Sequence, residues 1–362
     1  MKILLLGEYS NVHATLAEGL RTLGHEVTVV SNGDFWKNYP RDIDVSRKPG
    51  KWGGIRLMAR LYRLLPCMTG YDIVQLINPM FFELKAERLF FFYNWLRKHN
   101  RHVVLGAFGM DYYWVHTCTY HSPLRYSDFN IGKTIRTDAD AVKEQADWLG
   151  TEKERLNRLI AEDADAIVTA LYEYHACYAP VFPHKTTFIP LPIRMSSPHP
   201  ASPSDKVRLF IGISKNRSTY KGTDIMLRAA EAIRQQFPER VELIKVEGVP
   251  FAQYQQMMDG SDVQLDQLYS YTPSMNSLLA MSKGIVVVGG GEPENYDIIA
   301  EHELRPIINV TPSYDSVYKA LEQLVLHPDR LPELKRQSIE YVRRHHDYLK
   351  VARQYEQCYL SL

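Results

Sequence analysis

Apolar residues in this chain follow two alternating patterns. Short apolar runs predict strands at Ile3–Leu6, Glu26–Val30, Ile73–Ile77, Val103–Gly106, Asp165–Thr169 and Thr187–Leu191. Between them apolar side chains recur at helical spacing. Val12, Leu16, Leu20 and Leu23 form one such stripe, with Gly24 as its stop, and an apolar-aromatic helix is expected around Phe81–Leu96. Strands that alternate with helices imply a parallel, doubly wound sheet.

Pro190, Pro192 and the stretch 196–204, with Pro198, Pro200 and Pro203, interrupt this order and read as a linker. The alternation then restarts. Val207–Ile213, Val241–Val246, Val263–Leu265, Ile285–Val288 and Ile307–Val310 predict strands, with helices at Asp224–Gln236, Phe251–Met258, Ser274–Ser282 and Ser316–Leu326. The expected organisation is a first α/β domain over 1–192, a linker over 193–205 and a second α/β domain over 206–345. A last helix over 346–362 is expected to pack back on the first domain. Two such sheets predict a ligand cleft outside the carboxyl ends of their strands.

The chain has 362 residues, is 45% hydrophobic and carries a formal net charge of +1, so it can build two cores and any basic site must be local. No basic stripe with a reading motif is present, which argues against nucleic acid as a partner. Cys67, Cys118, Cys177 and Cys358 are scattered and form no CxxC pair. That argues against zinc and a disulfide framework and suits a reducing, cytoplasmic compartment. The apolar start, Ile3–Leu6, is too short for a signal peptide, and no stretch reaches the length of a membrane span.

The densest candidate chemistry lies where the Val207–Ile213 strand passes into a helix. Gly212 is the last residue but one of that strand, Lys215 and Arg217 follow its end at Ile213, and Lys221-Gly222 opens the next helix. Free N–H groups and the positive end of a helix dipole, with three added cations, make this turn a candidate grip for a diphosphate. Thr272 as an N-cap and Pro273 at the first helical position predict a second helix start, with Ser274, Met275 and Asn276 offering N–H groups. Gly289-Gly290-Gly291 permits close backbone approach, and Glu292 or Glu294 is placed to accept from ribose or sugar hydroxyls. Glu247, Gly248 and Val249, at another strand exit, line a possible base pocket or a plain turn.

In the first domain the turn Gly7-Glu8-Tyr9-Ser10-Asn11 lacks the GxGxxG pattern of NAD or FAD sites. Ser10 or Asn11 caps the helix, or the turn approaches a sugar or phosphate. Gly7, Ser10, Asn11 and His13, with Asp111 and Tyr112 from an aromatic insert, form the candidate acceptor side. Asp138–Asp140 and Asp163–Asp165 sit at the wrong ends of their elements for a metal–diphosphate complex, and His116 and His121 lack a third ligand, so no metal is inferred. Residues 52–66 place Arg56, Arg60 and Arg63 on one helical face, which reads as a helix covering the sheet or as a peripheral contact with the inner face of the membrane.

Residues 205–311 resemble the glycosyltransferase family 4-like, or group 1, enzymes. The order of strand, Lys221-Gly222, helix, then Ala280-Met281-Ser282-Lys283-Gly284, then Gly290-Gly291 and Glu294 is that family's order. Gly24-His25-Glu26-Val27 and Gly109-Met110-Asp111 add a looser likeness in the first half. The resemblance implies a GT-B fold of two Rossmann-like domains. It also implies retaining, metal-independent transfer of a sugar from a UDP- or GDP-linked donor to a hydroxyl of a glycan or glycolipid, in polysaccharide or glycoconjugate synthesis, with no cofactor. Its basic pair matches a residue of the Lys215–Arg217 loop, and Lys221; Lys221, Arg217 and Asp111 are the expected catalytic residues. Aligning Ala280-Met281 puts Leu279 and Tyr271 where the family carries two glutamates, and Phe108 where it carries a histidine. The rival readings are a sugar-nucleotide epimerase or phosphorolytic enzyme on the same fold, and a nucleotide-sugar-binding assembly protein without turnover.

Overall fold

The computed structural model describes residues 1–196, 205–213 and 218–362. Lys215 and Arg217, and the prolines at 198, 200 and 203, therefore lie outside the described residues.

The first sheet has seven strands. In chain order they are β1 (Lys2–Leu6), β2 (Glu26–Ser31), β3 (Ile43–Asp44), β4 (Ile73–Leu76) and β5 (His102–Ala107), then, after a small hairpin of β6 (Asn130–Ile131) and β7 (Thr134–Ile135), β8 (Ala166–Thr169) and β9 (Thr186–Phe188). The spatial order is β3-β2-β1-β4-β5-β8-β9, and neighbouring strands along it run parallel. The second sheet has five strands, β10 (Val207–Ile213), β11 (Val241–Glu247), β12 (Val263–Leu265), β13 (Val286–Gly289) and β14 (Ile308–Asn309), ordered β11-β10-β12-β13-β14 and also parallel. Strands β4, β8 and β13 are buried along their whole length, because helices cover both faces.

Strand order reverses between β1 and β4 in one sheet and between β10 and β12 in the other. At such a switch point the connecting loops diverge to opposite faces and leave a crevice at the carboxyl ends. The two crevices face each other. An apolar cluster joins the domains behind them, with Val12, Ile77 and Leu191 from one side and Phe210, Leu278 and Met281 from the other.

The chain passes between domains twice, and the two passages lie side by side. Ile193 N–H donates to the His346 carbonyl (2.7 Å), and Tyr348 N–H donates to the Ile193 carbonyl (3.1 Å). The last helix, Tyr348–Leu360, then seats Val351, Ala352 and Tyr355 against Leu16 and Leu20 of the Val12–Thr22 helix.

Three elements differ from the sequence reading. The aromatic helix begins at Ala86, after the strand-exit loop that carries buried Phe81 and Phe82. The aromatic insert after β5 is itself a helix, Tyr112–Tyr120. The second helix start lies two residues later than expected: Ser274 is the N-cap of Met275–Ser282, and Thr272 has another partner.

Candidate active site

Between the facing strand ends lies a cavity of about 1790 Å³. Its first-domain wall is made by the turn after β1 (Gly7–Val12), by Asn78 after β4 and by Phe108–Met110 after β5. Its second-domain wall is made by Gly212 and Ile213 of β10, Lys221, Gly248–Phe251, Tyr254 and Ser274–Asn276.

Two glycines shape this space. Gly7 has φ +83°, and a Cβ there would lie 2.3 Å from Ile77 Cγ2. Only glycine lets the chain leave β1 so close to β4. Gly222 has φ +71° at the start of the Thr223–Gln236 helix, and its missing Cβ would lie 2.6 Å from Leu268 Cβ. The Lys221 carbonyl accepts the Leu268 N–H (3.0 Å), which pins the backbone at Lys221, a residue of the cavity wall.

The structure thus gathers Gly7, Ser10, Asn11, Gly212, Lys221, Val249, Ser274, Met275 and Asn276 on one cavity. Asn276 is oriented by a 3.0 Å hydrogen bond from its Nδ2 to the Tyr254 hydroxyl. Gly222 lies just behind Lys221. Glu247 falls outside the wall, because its neighbours Val246 and Gly248 line it and successive strand side chains face opposite ways.

Other candidates have structural partners instead. Asp111 is fully buried and caps the Tyr112–Tyr120 helix, accepting from Trp114 N–H (2.9 Å) and from the Tyr178 hydroxyl (2.8 Å). Burial lifts its carboxyl to about 7. Tyr112 is buried with its hydroxyl on Arg158, and neither residue lines the cavity. His13 lies beneath the first turn, its Nδ1 2.9 Å from the Gly7 carbonyl and its Nε2 3.1 Å from Gln75 Nε2. Burial lowers its pKa to about 3, so it is a neutral packing residue.

Glu292 and Glu294 are turned away from the cavity to hold Arg125 of the first domain, at 2.7 and 2.5 Å, and Glu292 also accepts from the Tyr126 hydroxyl. Arg125 draws the Glu294 carboxyl below its ordinary range. Thr272 is held by Glu173, which the sequence reading passed over. This first-domain carboxylate, 3% exposed, accepts from Ser270 Oγ (2.8 Å), Tyr271 N–H (2.6 Å), Thr272 N–H (3.1 Å) and the Thr272 hydroxyl. Tyr271 completes the clasp. Its ring lies 4.9 Å from that of Tyr126 and 4.9 Å from the Arg125 guanidinium, and its hydroxyl accepts the Arg125 N–H (2.6 Å). Leu279 lines the cavity as an apolar wall.

Ser10 and Asn11 both adopt left-handed backbone (φ +53° and +73°), and neither side chain caps the helix after them. Glu8 does so: its Oε2 accepts the Ala14 N–H at 2.8 Å. Its Oε1 is buried with no hydrogen-bond partner among the described residues. Desolvation, with a smaller push from Asp34, raises its carboxyl from 4.5 to about 8, against the pull of the N–H groups of Ala14, His13 and Val12. The only sequence signal for Glu8 was its place directly after the first strand. A buried acid with a raised pKa binds a proton in the folded chain that the unfolded chain has released. Its contribution therefore falls as pH climbs from about 4.5 through about 8. Glu8→Gln is expected to flatten that part of the curve, gaining on the order of 4 kcal/mol over the parent between pH 5 and pH 9. Urea unfolding of both proteins across that range checks it, and parallel curves would refute a buried neutral Glu8.

No protein-family profile matches this chain, and no curated protein matches its sequence. Solved structures do match its fold. Sucrose-phosphate synthase from Thermosynechococcus elongatus superposes with a TM-score of 0.65 at 13% identity, covering 100% of this chain and 99% of that one. HepE from Anabaena, solved with UDP and glucose, gives 0.63 at 13% identity over 100% of both chains. The lipopolysaccharide outer core galactosyltransferase WaaB gives 0.54 at 13% identity over 100% and 99%. With its two parallel α/β domains facing across a cleft, the chain has the glycosyltransferase GT-B fold.

Proposed function

We propose that this protein transfers a sugar from a nucleotide diphosphate sugar to a hydroxyl of a glycan or glycolipid acceptor, with retention at the anomeric carbon. The observation that carries the reading is the position of Lys221. It stands on a pinned backbone at a helix start, facing the cavity at the switch point of the second sheet. A diphosphate leaving group gains charge as the glycosidic bond breaks, and a fixed ammonium there stabilises that charge more than it stabilises the bound donor. Lys215 and Arg217 stand just upstream in sequence.

In this scheme the base rests against Gly248–Pro250, the diphosphate faces Lys221 and Ser274–Asn276, and the acceptor enters over Gly7–Asn11. The C–O bond to the leaving phosphate breaks, the acceptor oxygen bonds the anomeric carbon from the same face, and the departing phosphate oxygen takes the acceptor proton. The protein's own cations carry the electrostatic work in this scheme, without metal. Neighbours solved with UDP and with UDP-glucose support a uridine donor over a guanosine one. Likeness to a lipopolysaccharide galactosyltransferase supports a cell-surface glycan as acceptor, and four free thiols suit synthesis in the cytoplasm.

UDP is expected to raise the melting temperature in a saturable way, because a ligand at a hundred times its Kd adds about 2.7 kcal/mol. GDP is the control, and a response to neither would favour an assembly protein without turnover. Incubation with UDP-sugars alone separates transfer from epimerisation, since only an epimerase converts the donor without an acceptor.

A further inference from the structure

We infer that the Gly53–Leu64 helix is a docking surface for an anionic lipid bilayer. The helix is anchored through Leu57 and Leu61, which are buried in the first-domain core. The described residues leave its outward side exposed. Trp52 is 65% exposed, Ile55 60% and Tyr62 47%, and Phe91 of the neighbouring helix, 44% exposed, lies 5.2 Å from Tyr62 ring to ring.

At 100° per residue, Ile55 and Tyr62 occupy one flank of that outward side and Arg56, Arg60 and Arg63, all exposed, the other, with Trp52 at the helix start between them. Arg47, Lys48, Lys51, Arg56, Arg60 and Arg63 are six cations with no acidic residue between Val45 and Tyr71, in a chain whose net charge is +1. None of the six makes a side-chain ion pair among the described residues.

Exposed tryptophan and isoleucine beside unpaired arginines match the boundary between headgroups and acyl chains. The ring and the branched chain leave water there while the guanidinium groups meet phosphate. A purely polyanionic partner would use the arginines and leave the apolar flank in water, which is why the bilayer is favoured over nucleic acid or an acidic protein. No helix among the described residues is long and apolar enough to cross a membrane, so the contact is peripheral.

The surface continues to the cavity. Val45 and Glu83 both line it, and the Arg47 N–H donates to Glu83 Oε2 (2.9 Å) where the chain leaves the rim for the helix. Docking would thus bring the first-domain side of the cleft to the headgroups.

The test is co-sedimentation of this 362-residue chain with vesicles of phosphatidylcholine alone or mixed with phosphatidylglycerol. It is run without donor or acceptor, so its result does not depend on the proposed transfer reaction. Binding to the anionic vesicles is expected to exceed binding to neutral ones by at least about tenfold and to weaken with salt. Arg56→Gln/Arg60→Gln/Arg63→Gln and Trp52→Ser/Ile55→Ser are each expected to lower it by at least about tenfold, with melting temperature unchanged because the altered side chains face solvent. Brominated lipid should quench parent fluorescence more than that of Trp52→Phe. No preference for anionic vesicles, equal binding by both variants, or arginine-dependent binding without quenching would each overturn the assignment. The last would mark a site for soluble polyanions, and concentration-dependent self-association abolished by Trp52→Ser/Ile55→Ser would mark a face for a second copy.

Discussion

Lys221→Ala is expected to lower kcat/KM by about a hundredfold while leaving the fold intact. A unit charge about 4 Å from a phosphate, at an effective dielectric near 20, contributes about 4 kcal/mol before desolvation is subtracted. A net loss of about 2.7 kcal/mol at the transition state is a factor of a hundred in rate. The backbone role of Lys221 is independent of its side chain, since its carbonyl, not its ammonium, receives the Leu268 N–H. Lys221→Ala keeps that backbone contact, and a melting curve beside the kinetics separates a loss of rate from a loss of fold. The loss should fall mainly on kcat, because the charge it answers develops as the bond breaks. Lys221→Arg restores the charge with a different shape and should recover part of the rate. Measured kcat and KM for the three proteins decide it, and parental turnover in Lys221→Ala would remove the mechanism.

Glu173→Ala is expected to cost about 3 kcal/mol of stability and to loosen the two domains from each other. The carboxylate is buried and receives two backbone N–H groups and two hydroxyls from Ser270–Thr272. Removing it strands those donors away from water, and each unsatisfied donor costs about 1–3 kcal/mol where no water enters. The same turn runs on into Ser274–Asn276, so its release also displaces part of the cavity wall. Glu173→Gln keeps one acceptor oxygen and is expected to lose less. Denaturant unfolding followed by tryptophan fluorescence gives the size of the effect, and calorimetry shows whether one transition becomes two. A Glu173→Ala protein as stable as its parent, with one sharp transition, would show that the clasp contributes nothing.

Tyr271 changes the meaning of its alignment position. Where the resembling family carries a glutamate, this chain has an aromatic ring locked against Tyr126 and Arg125, and Glu292 and Glu294 are drawn into the same interdomain lock. Tyr271, Glu292 and Glu294 thus join the two domains here. The cavity is lined instead by Leu279, Asn276 and the aromatic pair Phe251 and Tyr254, whose rings stack at 6.3 Å.

The sequence alone determined most strands of the two large sheets and the parallel α/β plan they share, though not the short β3 or the β6–β7 hairpin. Apolar runs, helical spacing and glycines at strand ends are local properties, and a parallel sheet converts strand order directly into the position of its crevice. It also put Gly7, Lys221 and the Ser274–Asn276 turn at strand ends and helix starts, and the structure places all of them on one cavity. What the tertiary structure decided was which polar side chains remain for a ligand. Glu173 meets Ser270 across 97 residues of sequence and Arg125 meets Glu294 across 169. Asp111 became a cap, His13 a neutral packing group and Glu8 a buried acid only once neighbouring elements closed over them and removed their water. Hydrogen-bond partners and desolvation act through space, so they become visible only when the chain has brought its distant segments together.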